Sequence, residues 1–307
     1  MSVRYGEWRQ AGVQVIESSF GIPQSQPEFH VKSSLMPFVQ LEESPHARGI
    51  VPVPIYCRDA GNGRPIVFLH GGWGYGVYSI GRQIEALQGQ ARFIVPDRSG
   101  HGRSARFPGS LPTDFHRRAA DETLLVLEAL GIARAVLWGH SDGAVIAAMI
   151  GLTAPQRCEH LVLEAFHFFR RKPASQSIFF EKFADPQNHV SGKMAELLKS
   201  DHGPENWENV VRRNCRAWLE LAAQSTRPEE DLYDGQLRGL RVPVTFIHGR
   251  GDPRTEPDEM KQVQESIPEA EMHFIANGRH SPHSEEASSQ ECTEILRSVI
   301  AGNDRAR

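Results

Sequence analysis

The chain has 307 residues, 39% of them hydrophobic and 23% charged, with 34 Lys and Arg against 38 Asp and Glu for a formal net charge of -4. Such a length holds one large domain with an insertion, and no shift in composition divides it into two independent halves. The slightly acidic balance, with no basic run longer than Arg170-Arg171-Lys172, offers polyanions no attraction and argues against a nucleic-acid partner. Residues 1–14 interleave Arg4, Glu7, Arg9 and Gln10 with single apolar side chains, so they lack the apolar stretch of a secretory signal. No apolar run anywhere approaches the ~18–20 residues of a membrane span, and the expected location is the cytoplasm. The four cysteines, Cys57, Cys158, Cys215 and Cys292, are widely spaced and predict neither a disulfide framework nor a zinc site.

Along the chain, residues 1–49 are rich in Ser, Gln and Pro without sustained periodicity and read as an irregular arm. From Ile50 short apolar runs alternate with amphipathic stretches, the pattern of an α/β domain with a mostly parallel sheet and helices on both faces. Strands are expected at 51–57, 65–69, 92–95, 135–138, 161–163, 244–247 and 272–275, and helices at 121–130, 144–150, 258–266 and 291–300. Between Phe168 and Arg238 the strand rhythm stops. Helical pieces at 193–199 and 210–222 fill the gap, so residues 168–238 read as a helical lid inserted into a core made of 50–167 and 239–302. The lid carries Phe179, Phe180, Phe183, Trp207, Trp218 and Tyr233, aromatic side chains suited to an apolar pocket wall as well as to simple packing.

The chemistry is concentrated in Gly139-His140-Ser141-Asp142-Gly143, a Gly-x-Ser-x-Gly pattern directly after an apolar strand and before an Ala-rich helix. A turn this tight needs small flanking residues, and it lifts the serine hydroxyl to a helix N-terminus. A serine hydroxyl is a weak nucleophile at neutral pH, so it requires a histidine to take its proton and a carboxylate to hold that histidine. Downstream, Asp252 follows the strand expected at 244–247 and His280 follows the one at 272–275, each at a strand's C-terminal end. His283 is a rival base in the same loop, and Glu164, after the strand at 161–163, is a rival acid. The oxyanion of a tetrahedral intermediate needs two fixed donors. The amide of Asp142 supplies one, and His70-Gly71-Gly72-Trp73 supplies the other, through Gly72 or else Trp73. The expected pocket wall comprises Trp73, Glu164, His167, Phe179 and Trp218. The glycine-punctuated loop Asp97 to Ser104 lacks a nucleotide-binding pattern and reads as scaffold for the neighbouring oxyanion loop.

Together these residues resemble the α/β-hydrolase superfamily from about Val53 to Ile300. Within it, Gly-His-Ser-Asp-Gly, then Leu163-Glu164-Ala165-Phe166-His167, then His280-Ser281-Pro282-His283, resemble bacterial hydrolases related to valacyclovir hydrolase. The resemblance implies an eight-stranded type of mostly parallel sheet. It also implies that Asp142, beside the nucleophile, receives a substrate ammonium group, although the helix dipole alone favours an aspartate there. Ser141 argues against the relatives that use an aspartate at the elbow, the haloalkane dehalogenases and epoxide hydrolases. The expected activity is hydrolysis of a small or medium carboxylic ester through an acyl-enzyme, with thioester, lactone and amide open and with no metal or organic cofactor. Carbon–carbon bond hydrolysis, cofactor-independent dioxygenation and a non-catalytic ligand receptor are the alternatives.

Overall fold

The computed structural model of the chain describes residues 38–302, so most of the arm read from the sequence lies outside the described residues. Its sheet begins with β1 (Phe38–Leu41), β2 (Val53–Gly61) and β3 (Arg64–Leu69), followed by α1 (Gly81–Leu87), β4 (Ala91–Pro96), α2 (Phe115–Ala129) and β5 (Ala135–His140). The chain continues through α3 (Asp142–Thr153) and β6 (Cys158–Glu164) into the insertion. That insertion is α4 (Pro173–Ser175) with a π-helical continuation at Gln176–Glu181, α5 (Pro186–His189), α6 (Gly192–His202) and α7 (Trp207–Gln224). It closes with β7 (Val244–Gly249), α8 (Glu259–Ser266), β8 (Glu271–Ile275) and α9 (Ser289–Gly302). The eight strands form one sheet in the order β1-β2-β4-β3-β5-β6-β7-β8. The β1–β2 and β2–β4 pairs are antiparallel and all the others parallel.

The central strands are continuous apolar runs because helices cover both faces. All six residues of β5 are buried, and so are all six of β7. On one face Val67, Leu69, Leu137 and Leu163 pack with α2, α3 and α7; on the other Ile66, Phe68, Val136 and Trp138 pack with α1 and α9. Helix α3 is buried from Asp142 through Gly151, which explains its uniformly apolar sequence: it is the central helix rather than a surface one.

Residues 38–41, inside the stretch read as irregular, form β1 instead. Val39 and Leu41 point inward and Phe38 and Gln40 outward, a period-two pattern too short to register against its polar surroundings. Helix α1 also escapes a sequence reading, because its apolar positions are few and Gly81 opens it. The four cysteines are buried free thiols. Among the described residues no helix is long and apolar enough to cross a membrane.

Candidate active site

Ser141 sits between β5 and α3 with φ 56° and ψ -119°, a strained backbone for a residue with a Cβ, costing on the order of 1–3 kcal/mol. The flanking glycines are dictated by contact. A Cβ on Gly139 would lie 2.1 Å from the Gly143 carbonyl oxygen, and one on Gly143 would lie 1.8 Å from that of Leu69. The strained turn is held by the Ser141 N–H donating to the Glu164 carbonyl at 2.9 Å, so strand β6 clamps the elbow that β5 presents.

The ends of β7 and β8 deliver the partners. His280 Nε2 lies 3.1 Å from Ser141 Oγ, and its Nδ1 lies 2.9 Å from Asp252 Oδ2. Asp252 Oδ1 accepts the Arg254 amide at 2.9 Å, which fixes the carboxylate plane. Burial and then the nearby Arg254 guanidinium push His280 below its ordinary pKa, against the pull of Asp252, so the imidazole is neutral and able to accept a proton. Burial alone would raise the Asp252 carboxyl, but His280 and His248 outweigh it and hold the acid well below the carboxylate range.

The rivals are used elsewhere. Glu164 Oε1 bonds His283 Nδ1 at 2.8 Å and the His283 amide at 3.0 Å, while its Oε2 accepts from Trp138 Nε1 at 3.1 Å. His283 Nε2 lies 2.9 Å from the Tyr78 carbonyl. Both ring nitrogens face acceptors, so both must carry protons. Burial opposes that charge, but Glu164 beside it raises the His283 pKa, and the two form a fully buried imidazolium–carboxylate pair. Glu164 therefore reaches the rival histidine and not His280, and it lies under the sheet end rather than on the pocket wall.

The cleft over Ser141 is narrow and is lined by Gly71, Gly72, Trp73, Tyr78, His140, Ser141, Asp142, His167, Phe180, Asn214, Trp218, Arg254 and His280. Of the expected wall, Trp73, His167 and Trp218 are present; Gly72 and Asp142 border the same space. Phe179 is not part of the lining. It stacks on Trp73, with ring centroids 5.1 Å apart, and its neighbour Phe180 faces the cleft. The π-helical turn at Gln176–Glu181 sets which of the two consecutive rings points inward, a register invisible to a 3.6-residue pattern.

His167 Nε2 lies 3.3 Å from Ser141 Oγ, so the hydroxyl stands between two imidazoles. Burial, with Lys172 and His280 nearby, keeps His167 neutral. Asp142 is caged by the protein itself: Asn214 Nδ2 donates to Oδ2 at 2.6 Å, Trp218 Nε1 to Oδ1 at 3.0 Å, and His116 Nε2 lies 3.3 Å from Oδ1. Burial would raise this carboxyl, yet His116 and Arg98 hold it well below its ordinary value. Asn214 and Trp218 are one helical turn apart on the buried face of α7, so the i, i+4 spacing turns a helix stripe into a two-donor clamp.

The loop read as scaffold grips the loop read as oxyanion donor. Arg98 Nη1 donates to the His70 carbonyl at 2.6 Å and Nη2 to that of Gly71 at 3.1 Å, while His101 Nε2 lies 3.1 Å from the Gly72 carbonyl. From α6, His202 Nδ1 accepts the Gly102 amide at 2.8 Å, which leaves Nε2 to donate to the Trp73 carbonyl at 3.0 Å. Four successive carbonyls, from His70 to Trp73, are thereby turned away from the cleft. Among the described residues no group of three or more His, Cys, Asp or Glu side chains is gathered as metal ligands would be.

A family model for the alpha/beta hydrolase fold matches residues 64–287. The chain belongs to the α/β-hydrolase family. As an α/β hydrolase it is 28% identical over 271 residues to AB hydrolase superfamily protein YisY of Bacillus subtilis, covering 81% of this chain and 94% of that protein. It is 22% identical over 234 residues to the human serine hydrolase BPHL, covering 75% of this chain and 78% of the relative. Among solved structures, a thermophilic esterase from Thermogutta terrifontis superposes with a TM-score of 0.62 at 22% identity, covering 87% of this chain and 98% of that one, which is a likeness of fold. The protein is thus a hydrolase by family, and the sequence order Ser141, Asp252, His280 follows the order in which that fold delivers its strand ends.

Proposed function

We propose that the protein is a serine hydrolase acting on a small carboxylic ester through an acyl-enzyme on Ser141. The observation that carries this reading is the unbroken relay from Ser141 Oγ through His280 to Asp252, at 3.1 and 2.9 Å. In it the neutral His280 takes the hydroxyl proton as Oγ attacks the carbonyl, and Asp252 stabilises the imidazolium that forms. The amides of Gly72 and Asp142, with Trp73 as the alternative to Gly72, hold the oxyanion; the outward-tied carbonyls of that loop keep lone pairs from facing it. His280 then gives the proton to the leaving alkoxide, an alcohol departs, and a water deprotonated by His280 releases the acid. The insertion, 168–238, serves as the lid whose Phe180 and Trp218 dry the cleft.

Asp142 serves here as an anchor and not as an ammonium receptor, because both its oxygens already face donors from α2 and α7. His167 is read as a second donor to Oγ that fixes the hydroxyl rotamer facing His280.

The test is turnover of short p-nitrophenyl esters with rapid mixing. The expected result is a burst of about one equivalent of p-nitrophenolate, an acyl adduct on Ser141 and no burst with Ser141→Ala. Steady loss of a conjugated dienol or β-diketone chromophore, with no ester turnover, is the result that would replace this reading with carbon–carbon hydrolysis.

A further inference from the structure

The cleft has one cation with no carboxylate to answer it. Arg254 follows Asp252 by two residues, on the loop after β7, and its guanidinium lies over the Phe179 ring, 3.4 Å from the centroid, at the cleft wall facing His280 and Tyr78. Among the described residues no carboxylate pairs with it, although acids are close at hand. Asp252 is occupied by His280 and by the Arg254 amide, Glu164 by His283 and Trp138, Glu285 by the amides of Arg279 and Ser281, and Asp142 by its cage on α7. Every one of these anions is spent within the protein, and the guanidinium is left half-buried against aromatic faces. A bound anion would supply the counter-charge that the surrounding side chains do not. Stacking on Phe179 holds the plane of the fork, which suits two parallel N–H bonds to a carboxylate.

We propose that Arg254 is a substrate-recognition residue and that the substrate carries a carboxylate a few bonds from its scissile carbonyl. The substrate class is then the monoester of a short dicarboxylic acid, or its lactone or thioester equivalent. The carboxylate seats on Arg254 beside Tyr78 while the ester carbonyl faces Ser141. This rests on Ser141 as the nucleophile only for the class of bond cleaved; the anion site stands on the Arg254 geometry alone.

Two measurements separate the two claims. Calorimetry of Ser141→Ala protein with succinate, glutarate and their neutral diamides should show binding of at least one diacid and of neither diamide. In the Ser141→Ala/Arg254→Gln protein that affinity should fall at least tenfold, with Arg254→Lys recovering part of it. In parallel, intact enzyme should prefer mono-p-nitrophenyl glutarate to p-nitrophenyl butyrate in kcat/KM by about tenfold, and Arg254→Gln should erase the preference. Diacids that bind equally with and without Arg254, or that do not bind while neutral esters are cleaved, overturn the anion site and leave the serine hydrolase intact. Diacid binding that depends on Arg254 in a protein that cleaves neither ester keeps the anion site and overturns the ester reading.

Discussion

The imidazole of His280 lies between two opposing charges, the Asp252 carboxylate on Nδ1 and the Arg254 guanidinium at the cleft wall. Arg254 lowers the His280 pKa, so its removal raises it. With the neutral ring as the base of the proposed reaction, Arg254→Gln should move the acid limb of the kcat/KM profile to higher pH, read with a neutral ester so that substrate binding does not enter; an unmoved limb would mean that the guanidinium does not act on His280. The second imidazole is tested differently. His167→Leu should lower kcat/KM about tenfold, roughly 1.4 kcal/mol of transition-state stabilisation, without abolishing turnover; a loss as complete as that of His280→Ala would make His167 the base instead. The strand-end rule points to His280 and Asp252 but does not assign the duties of Glu164 and His283, since both stand at strand ends. The hydrogen bonds of Glu164 to the His283 ring and amide show that it serves His283 rather than His280.

At the scale of elements, α7 is fastened to α3 by a polar clamp. Trp218→Phe keeps the ring packing against Phe180, with which it stacks at 5.4 Å, but removes the N–H that meets Asp142. A charge-assisted bond of this kind contributes about 1.5–3 kcal/mol, so the urea midpoint should fall accordingly while far-ultraviolet dichroism stays native. The root of the insertion holds a stronger test. Lys172 Nζ lies 2.6 Å from Glu259 Oε1, both buried, and Glu259 also caps the Phe168 amide at 2.8 Å. Lys172→Met strands that carboxylate and should cost about 3–5 kcal/mol, whereas Lys172→Met with Glu259→Gln should recover much of it; a double variant no better than the single would show that the pair is not coupled. None of this was legible beforehand. A lone Lys172 and a Glu259 far apart in sequence carry no periodic signal, and the π-helical turn that inverts Phe179 and Phe180 breaks the only period available.

For the whole molecule, the legible features were those in which one local rule suffices. Buried parallel strands announce themselves as apolar runs, and the Ser141 elbow announces itself because its glycines are required by contacts under 2.5 Å, whatever surrounds them. The order of strand ends then places an acid and a histidine near the serine. That the Asp97–Ser104 loop supports the His70–Trp73 loop was legible too, though not that Arg98 and His101 supply the donors; the missing pieces were set by long-range docking, the caging of Asp142 by α7 and the charge of Arg254 left without a carboxylate. They depend on how helices and loops distant in the chain meet over the sheet's end, and no spacing along the chain records that. The loop grip yields a prediction of its own: Arg98→Met frees the His70 and Gly71 carbonyls and should lower kcat by about 10²-fold while leaving KM within a few-fold, measured with p-nitrophenyl butyrate. A rise in KM alone would assign the loop to binding instead.

The central claim, that Ser141 is an activated nucleophile driven by His280, is tested most directly by mass spectrometry after exposure to a fluorophosphonate. The account predicts one adduct on Ser141 in the wild type, none there in Ser141→Ala, and labelling slowed by orders of magnitude in His280→Ala. A folded wild-type protein that takes no label at Ser141, or that labels equally fast without His280, would contradict it.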